Sequence, residues 1–280
     1  MRTEATELIE ENGRIIGVTA KGPKGQLTVA ADLVVACDGR DSGLRVQSGL
    51  PVEAFGAPMD VQWFRLDRLP DASEMPLGTI VAGRMFLMLP RGDYWQCGHV
   101  IPKDGDAEMR AGNFDRWRDG LVALKPALRD AFARLSGWDD IKLLTVEVNR
   151  LNDWCRPGLL LIGDAAHAMS PIAGVGINLA IQDAVAAANL LHEALCDGAP
   201  NLETLRLVQR RRSWPTEATQ RMQLTVQKSI IAEALGAKRQ VHPPLTMRLL
   251  DAWPWARRWP ARLIGIGLRP EHIAPAFRVA

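Results

Sequence analysis

The sequence is poor in the features that mark metalloproteins, secreted proteins and membrane proteins. Its four cysteines, at positions 37, 97, 155 and 196, form no C-x-x-C pair, which indicates neither a metal site nor a disulfide framework. The N-terminus lacks the apolar core of a signal peptide. No uninterrupted apolar run approaches the roughly 18 residues of a membrane span. The expected location is a reducing cytoplasm.

An excess of charge of one sign is also lacking. The chain has 34 Lys and Arg residues against 32 Asp and Glu residues, a formal net charge of +2. This balance excludes the strongly basic profile of a nucleic-acid-binding protein, so no nucleic acid partner is expected. With 47% apolar residues, 280 residues are enough to bury the core of one large domain or two medium ones.

Several short runs predict strands. Residues 14–20 and 26–30 flank a Gly-Pro-Lys-Gly turn, which indicates a hairpin. Residues 32–37 and 158–163 are apolar without polar alternation, which is typical of strands buried on both faces of a parallel sheet. Between those two runs, a strand-rich region with turn residues suggests a second domain, with strands at residues 62–66, 79–81, 84–89 and 94–101.

Apolar residues at helical spacing predict three helices. Residues 111–135 form the first. The second covers residues 177–195, and its many alanines favour close packing on a sheet. The third covers residues 202–231, and Pro215 is expected to break or kink it.

The loop after the second buried strand carries the strongest chemical signal. Asp164 follows that strand at the edge where ligands bind in open α/β sheets. Gly174 and Gly176 would let the backbone approach a flat ligand. The helix that begins near Ile177 would direct the positive end of its dipole toward the loop. This arrangement suits a ligand with hydroxyl groups and a ring that becomes anionic.

Two motifs resemble a known family. Residues 163–167 read G-D-A-A-H, and Pro171, G-x-G-x-N at 174–178 and Asp183 follow in order. Residues 38–45 read D-G-R-D-S-G-L-R, similar to the pattern D-G-x-x-S-x-x-R. Together they resemble the flavin-binding motifs of FAD-dependent aromatic-hydroxylase-type monooxygenases, the para-hydroxybenzoate-hydroxylase-like family. The likeness covers roughly residues 1–225.

The resemblance implies a role for each motif residue. Asp164 would bind the ribityl hydroxyls of FAD, Pro171 would lie beside the isoalloxazine ring, and Asp38 would lie near the ribityl–pyrophosphate region unless it is a plain turn residue. The implied cofactor-binding set is Asp38, Gly39, Gly163, Asp164, Pro171, Gly174, Val175, Gly176, Ile177 and Asn178. Arg45 could equally be a solvated residue at a helix start, and His167 is expected to be a hydrogen-bonded structural residue rather than a base.

The resemblance also implies an NAD(P)H-driven monooxygenase. NADH or NADPH would reduce FAD, molecular oxygen would form a flavin hydroperoxide, and an aromatic or quinone-like small molecule would be hydroxylated. No catalytic side chain and no metal site is assigned. Trp63, Arg65, Trp95 and Gln96 are weak candidates for substrate contacts on the inserted sheet.

The implied fold is α/β, an incomplete FAD-binding Rossmann-like domain with an inserted antiparallel-sheet substrate domain and a helical C-terminus. The predicted domains are residues 1–50 and 151–225 for FAD binding, 51–150 for substrate binding, and 226–280 for the C-terminal helical region. The initial βαβ unit with G-x-G-x-x-G, which family members carry, does not occur in the sequence. The chain is therefore expected to be N-terminally truncated, with Met1 an internal methionine, and inactive alone.

Three alternatives stay open at this point. A flavin reductase or dehydrogenase without oxygen transfer would use a similar fold, and a non-catalytic remnant would keep only the substrate surface. Flavin halogenases share the architecture, but their W-x-W-x-I-P run is missing. The tail, rich in Trp, Pro and Arg, is expected to form a packed helix pair or a homodimer contact; a peripheral membrane contact is the less favoured interpretation.

Overall fold

The computed structural model describes residues 2–68, 77–81, 83–236 and 253–274. The chain divides into two compact units. Unit 1 comprises Met1–Gly56, Glu147–Gln223 and Leu250–Ala280, and unit 2 comprises Ala57–Val146 and Leu224–Leu249. The domain bounds expected from the sequence remain a prediction.

Strands and helices are numbered in chain order. The strands are β1 (Glu4–Glu11), β2 (Arg14–Gly22), β3 (Gly25–Ala30), β4 (Val34–Ala36), β5 (Val52–Ala54), β6 (Met59–Asp67), β7 (Leu77–Val81), β8 (Arg84–Arg91), β9 (Tyr94–Pro102), β10 (Lys142–Leu144), β11 (Asn149–Leu151), β12 (Cys155–Arg156) and β13 (Leu159–Leu161). The helices are α1 (Gly43–Ser48), α2 (Asp106–Ala111), α3 (Phe114–Leu124), α4 (Arg129–Phe132), α5 (Gly176–Cys196), α6 (Leu202–Val226), α7 (Ala232–Gly236) and α8 (Arg258–Gly265).

Unit 1 is built on a small sheet with the order β12-β13-β4, in which β13 and β4 are parallel. Leu159 and Leu161 pack on one face with Trp154 and Ile15. Leu160 packs on the other face in a cluster that includes residues of α5 and α6. The predicted parallel pair is confirmed. The predicted hairpin is also confirmed, because β2 and β3 are antiparallel neighbours in the sheet β1-β2-β3.

The prediction that residues 32–37 are buried on both faces is wrong for β4. Val34 and Ala36 are buried, but the side chain between them, Val35, is 41% exposed. Its neighbour across the pair, Leu160, is covered by the α5 and α6 cluster. The sheet order ends on β4, so the cover that protects β13 does not extend fully over this strand.

Unit 2 contains an antiparallel sheet with the order β10-β6-β9-β8-β7, which confirms the strand-rich region. Phe64, Phe86, Trp95 and Phe132 lie in its core cluster. The single helix predicted for residues 111–135 is wrong. Helix α3 ends at Leu124, and a 3-10 turn and α4 follow. The helix stops there because Lys125 precedes Pro126, and the residue before a proline is disfavoured in the α conformation.

Helix α5 confirms the long helix predicted after the glycine-rich loop. Helix α6 continues through Pro215, so the predicted break does not occur. A proline leaves the carbonyl four residues earlier without its helical donor. Here that carbonyl belongs to Arg211, and Arg269 Nη1 donates to it at 3.4 Å. A tertiary contact thus replaces the hydrogen bond that the proline removes.

The segment Ile172–Cys196 is long and apolar enough to cross a membrane when judged by length and composition. Less than half of the most apolar part of this segment is buried. Buried core helices pass the same test. Asp183 lies within the segment and is fully buried against Arg212, which is the environment of a core helix.

Candidate flavin site

The ends of the two parallel strands form one concave surface in unit 1. Because β4 and β13 run in the same direction, the residues that follow them meet at the same edge of the sheet. A cavity of about 380 Å³ opens there. Its lining residues are small or apolar apart from one carboxylate: Cys37, Gly39, Ile162, Gly163, Asp164, Ile177, Ala180 and Ala184.

Gly163 allows α5 to approach the strand end closely. Its φ angle is +59°, and a Cβ atom at this position would lie 2.9 Å from Cβ of Ala180. Only glycine satisfies both the left-handed backbone and the short distance. The alanines of α5 therefore form the wall of the cavity next to the strand, as their number in the sequence indicated.

Asp164 presents its carboxylate at the cavity. Its side chain is 29% exposed, and its Oδ2 atom lies 3.3 Å from Nη2 of Arg40. On the other side, a Cβ atom added to Gly176 would lie 3.7 Å from Oδ1 of Asp164. The carboxylate is therefore close both to residues 38–42, which we call the D-G loop, and to the first turn of α5, and its oxygens can accept hydrogen bonds from a ligand.

The loop before α5 has unusual backbone geometry. Pro171 precedes a 3-10 turn, in which Ala173 and Gly174 have φ angles of 62° and 63°. No heavy atom lies within 4 Å of a Cβ atom built on Gly174. Val175, the N-cap residue of α5, makes no side-chain capping bond. The first turn of the helix thus keeps backbone amides available for an acceptor.

The side-chain amide of Asn178 binds the protein's own backbone rather than the cavity. Its Nδ2 atom donates to the carbonyl oxygens of Ile264 and Gly265, at 3.5 and 3.3 Å. The amide nitrogen of the Asn178 side chain is thus engaged within the protein, while the backbone of this residue lies in the first turn of α5.

The D-G-x-x-S-x-x-R motif forms the start of α1. Asp38 accepts hydrogen bonds from Ser42 Oγ at 2.6 Å and from the Leu44 amide at 3.4 Å. Ser42 caps the helix by accepting from the Arg45 amide at 2.9 Å. The carboxylate of Asp38 thus serves the turn, while Gly39 lines the cavity.

Arg45 is not a solvated residue. It is 9% exposed, and it donates to Asn149 Oδ1 at 3.2 Å and to the carbonyl of Arg40. Arg45 therefore ties the D-G loop to β11.

His167 belongs to a buried charged network, as expected of a structural histidine. Its Nε2 atom lies 2.6 Å from Oδ2 of Asp183, and Arg212 Nε donates to Oδ1 of the same carboxylate at 2.9 Å. The Gly163 amide donates to Oδ2 at 3.1 Å. Burial alone would raise the pKa of Asp183, but His167, Arg212 and the amide together hold it below its usual value.

Two glutamines of α6 hold the loop that contains Pro171. Gln223 accepts from the Ser170 amide at 3.2 Å and donates to the carbonyls of Ser170 and Ile172, both at 3.0 Å. Gln220 donates to the carbonyl of Ala168 at 3.3 Å. No sequence prediction assigned a role to these glutamines, to Arg40 or to Arg212, although the spacing of three between the glutamines places them on one helix face.

The four candidate substrate residues lie in unit 2 on two faces of its sheet. Arg65 is paired with Gln96 across β6 and β9, and Trp63 is two residues from Arg65, so these three share one face. Trp95 is paired with Leu66 and is 2% exposed in the hydrophobic core. The sheet therefore does not bring all four together.

Comparisons with known proteins show the family of the chain. Residues 1–222 match the FAD binding domain family. The chain is 34% identical over 238 residues to 6-methylpretetramide 4-monooxygenase from Streptomyces rimosus, covering 82% of this chain and 55% of that protein. It is 30% identical over 208 residues to digeranylgeranylglycerophospholipid reductase from Thermoplasma acidophilum, covering 70% and 49%. The chain thus spans about half the length of these relatives.

Solved structures show the same fold. PqsL, a probable FAD-dependent monooxygenase from Pseudomonas aeruginosa, superimposes with a TM-score of 0.66 at 24% identity, over 83% of this chain and 65% of that one. A flavin-dependent brominase gives a TM-score of 0.72 at 16% identity, over 94% and 64%. The fold and the family match define an FAD-binding domain. The chain belongs to the FAD-binding-domain family of aromatic-hydroxylase-type monooxygenases.

The residues present fit FAD. If FAD binds here, Asp164 would offer a carboxylate to the ribityl hydroxyls, Gly174 an open backbone, and Arg40 a guanidinium able to pair with a phosphate. A side chain at Gly163 would crowd Ala180 of α5.

Proposed function

We propose that the cavity at the ends of β4 and β13 holds the ribityl chain and part of the ring system of FAD. The observation that carries the proposal is that Gly39, Asp164 and Ile177, from separate segments, line one cavity of about 380 Å³. Asp164 accepts from the ribityl hydroxyls, Pro171 lies beside the ring, and the backbone of residues 174–178 contacts its pyrimidine side. Asp38 acts through the turn that positions Gly39.

The reaction proposed is NAD(P)H-driven monooxygenation of an aromatic or similarly electron-rich small molecule. The monooxygenase names of relatives support it. The bound flavin supplies the oxygen-activating chemistry, through the hydroperoxide that the family resemblance implies. The chain's own residues bind and orient the cofactor. The cytoplasm is the proposed location.

A second candidate function is flavin-dependent reduction without oxygen transfer. Several relatives are named digeranylgeranylglycerophospholipid reductases. The two functions differ in what consumes the electrons. Substrate-dependent NAD(P)H oxidation with equimolar oxygen uptake supports monooxygenation, whereas NAD(P)H oxidation with a reduced product and no oxygen uptake supports the reductase. The assay requires protein with a complete flavin site.

We further propose that residues 1–280 alone bind FAD weakly and are inactive. Strand β4 ends the sheet order with Val35 exposed, and Ile177 and Ile181 of α5 are 68% and 57% exposed. These exposed apolar side chains, and the lack of a G-x-G-x-x-G run to hold a pyrophosphate, support the proposal. A yellow protein with stoichiometric FAD after purification would refute this proposal.

Titration of the chain with FAD, followed by flavin fluorescence, tests the site. We expect Asp164→Ala to weaken binding about tenfold or more, since it removes charge-assisted hydrogen bonds worth roughly 1.5–3 kcal/mol. The matched control is Asp197→Ala, which removes an exposed carboxylate directly after α5 and should not change the affinity for FAD. Equal affinities of both variants and the unaltered chain would disprove the role of Asp164. No detectable binding even with a βαβ unit supplied by fusion would favour the non-catalytic remnant.

A further inference from the structure

Two tryptophans and two arginines form an exposed stripe near the C-terminus of unit 1. Trp255 and Trp259 are 67% and 74% exposed, and Arg258 and Arg262 are exposed beside them. The four residues have the spacing i, i+3, i+4 and i+7 and line a cavity of about 590 Å³. We call them the Trp–Arg face. A packed helix pair would bury these indoles. Among the residues that the structure describes, neither indole is covered, so this expectation is wrong for Trp255 and Trp259.

The chain directly after the Trp–Arg face is held by α5 and α6 of unit 1. Asn178 donates to the carbonyl of Gly265 at 3.3 Å, and Gln182 donates to the carbonyl of Ile266 at 2.9 Å. Further along, Arg211 binds Glu271 with two hydrogen bonds of 2.7 and 3.1 Å. Polar side chains of α5 and α6 thus hold the chain that follows the Trp–Arg face, while its two indoles stay exposed.

The charge of the segment is of one sign. Between Asp251 and Glu271 the sequence has four arginines and no acidic residue. Exposed apolar side chains continue beyond the helix, with Ile266 45%, Leu268 37% and Ile273 53% exposed. A surface that is cationic, indole-rich and apolar is complementary to an anionic, partly apolar partner.

We propose that the Trp–Arg face docks onto an anionic lipid bilayer surface. Tryptophan is favoured at membrane–water interfaces, and amphipathic helices with basic and aromatic residues lie in that plane. A protein partner would need rigid pockets placed for each indole, whereas a bilayer accepts them at any spacing. Because α5 and α6 are hydrogen-bonded to this segment, docking would hold unit 1 at the bilayer surface without a membrane-spanning helix.

Vesicle flotation tests this proposal, because aggregated protein stays at the bottom of the gradient. We expect the chain to float with vesicles of equimolar phosphatidylglycerol and phosphatidylcholine, and to remain below with pure phosphatidylcholine. Binding should weaken as salt rises. The double variant Arg258→Glu/Arg262→Glu should bind about 30-fold more weakly or worse, since each basic residue near an anionic surface contributes about a factor of five.

Matched variants separate the face from the general surface. Trp255→Ala/Trp259→Ala should lose flotation, whereas Trp214→Ala, which removes an indole 58% exposed on α6, should not. Arg221→Glu, at an arginine 81% exposed, is the charge control. Flotation that is equal for all variants, or absent for the unaltered chain, would overturn the proposal.

A contact between copies of the chain is the competing outcome. If sedimentation velocity shows a dimer that Trp255→Ala/Trp259→Ala dissociates, and the unaltered chain does not float, the face is a dimer interface and the bilayer proposal is wrong. Neither measurement depends on bound flavin, so failure here leaves the proposed function unaffected.

Discussion

Replacement of Arg212 by methionine should destabilise the protein strongly. Arg212 is fully buried, and its guanidinium donates to Asp183 at 2.9 Å, to Gln182 at 3.0 Å and to the carbonyl of Arg269 at 2.9 Å. Methionine has similar length but donates nothing. The variant therefore leaves the buried Asp183 carboxylate with only His167 and one backbone amide as partners.

The magnitude follows from the burial of both partners. Removal of one member of a buried ion pair costs about 3–5 kcal/mol, because the remaining charge is left uncompensated. Proteins have only about 5–15 kcal/mol of total stability. For a chain of this size the loss corresponds to a fall in Tm of roughly 6–20 °C.

Urea denaturation followed by circular dichroism measures this loss. The matched control is Arg210→Met on the same helix, where the side chain is 66% exposed and binds Glu203 at the surface; it should change the free energy of unfolding by less than about 0.5 kcal/mol. Combining Asp183→Asn with Arg212→Met should cost less than the sum of the single changes, because the two residues share one interaction. A loss below about 1 kcal/mol for Arg212→Met would refute the reasoning.

Two further predictions concern a glycine and a histidine. Gly163→Ala should lower the free energy of unfolding by about 1–3 kcal/mol and weaken FAD binding, because the added Cβ would lie 2.9 Å from Ala180 at a φ of +59°. Gly43→Ala is the control, because a Cβ atom at Gly43 would meet no neighbouring atom within 4 Å. Equal urea midpoints for the two variants would contradict the steric explanation. Burial, with the charge of Arg84, lowers the pKa of His99 from 6.5 to about 4. Between these two values, His99 is protonated in the unfolded chain but neutral in the folded chain. Stability should therefore fall by about 2 kcal/mol from pH 7 to pH 5, and His99→Gln should remove that part of the slope; an unchanged slope would show that His99 is not responsible.

Much of the fold around the site could be predicted because its determinants are local. The Gly-Pro-Lys-Gly turn determines the β2–β3 hairpin, and the unbroken apolar run before Asp164 determines a fully buried strand. The glycines of the loop and the alanine-rich helix after it are also local features. Together they were enough to place Asp164 beside the start of α5, where the structure has it.

The errors and omissions depend on partners far away in sequence. Helix α6 passes Pro215 because Arg269 supplies a donor to the carbonyl of Arg211. Gln223 holds the loop more than fifty residues before it. Val35 is exposed because the cover over Leu160 stops short of it. None of these partners can be paired by spacing alone.

The sequence by itself determined the family, the two buried strands that precede the motifs, and the two loops that line one cavity, because glycine, proline and acidic residues act on the backbone next to them. Only the tertiary structure decided which charges are buried in pairs, which glutamines hold the loop, and that the Trp–Arg face is exposed. Burial and pairing depend on what packs against a residue, and that is known only when distant segments have come together.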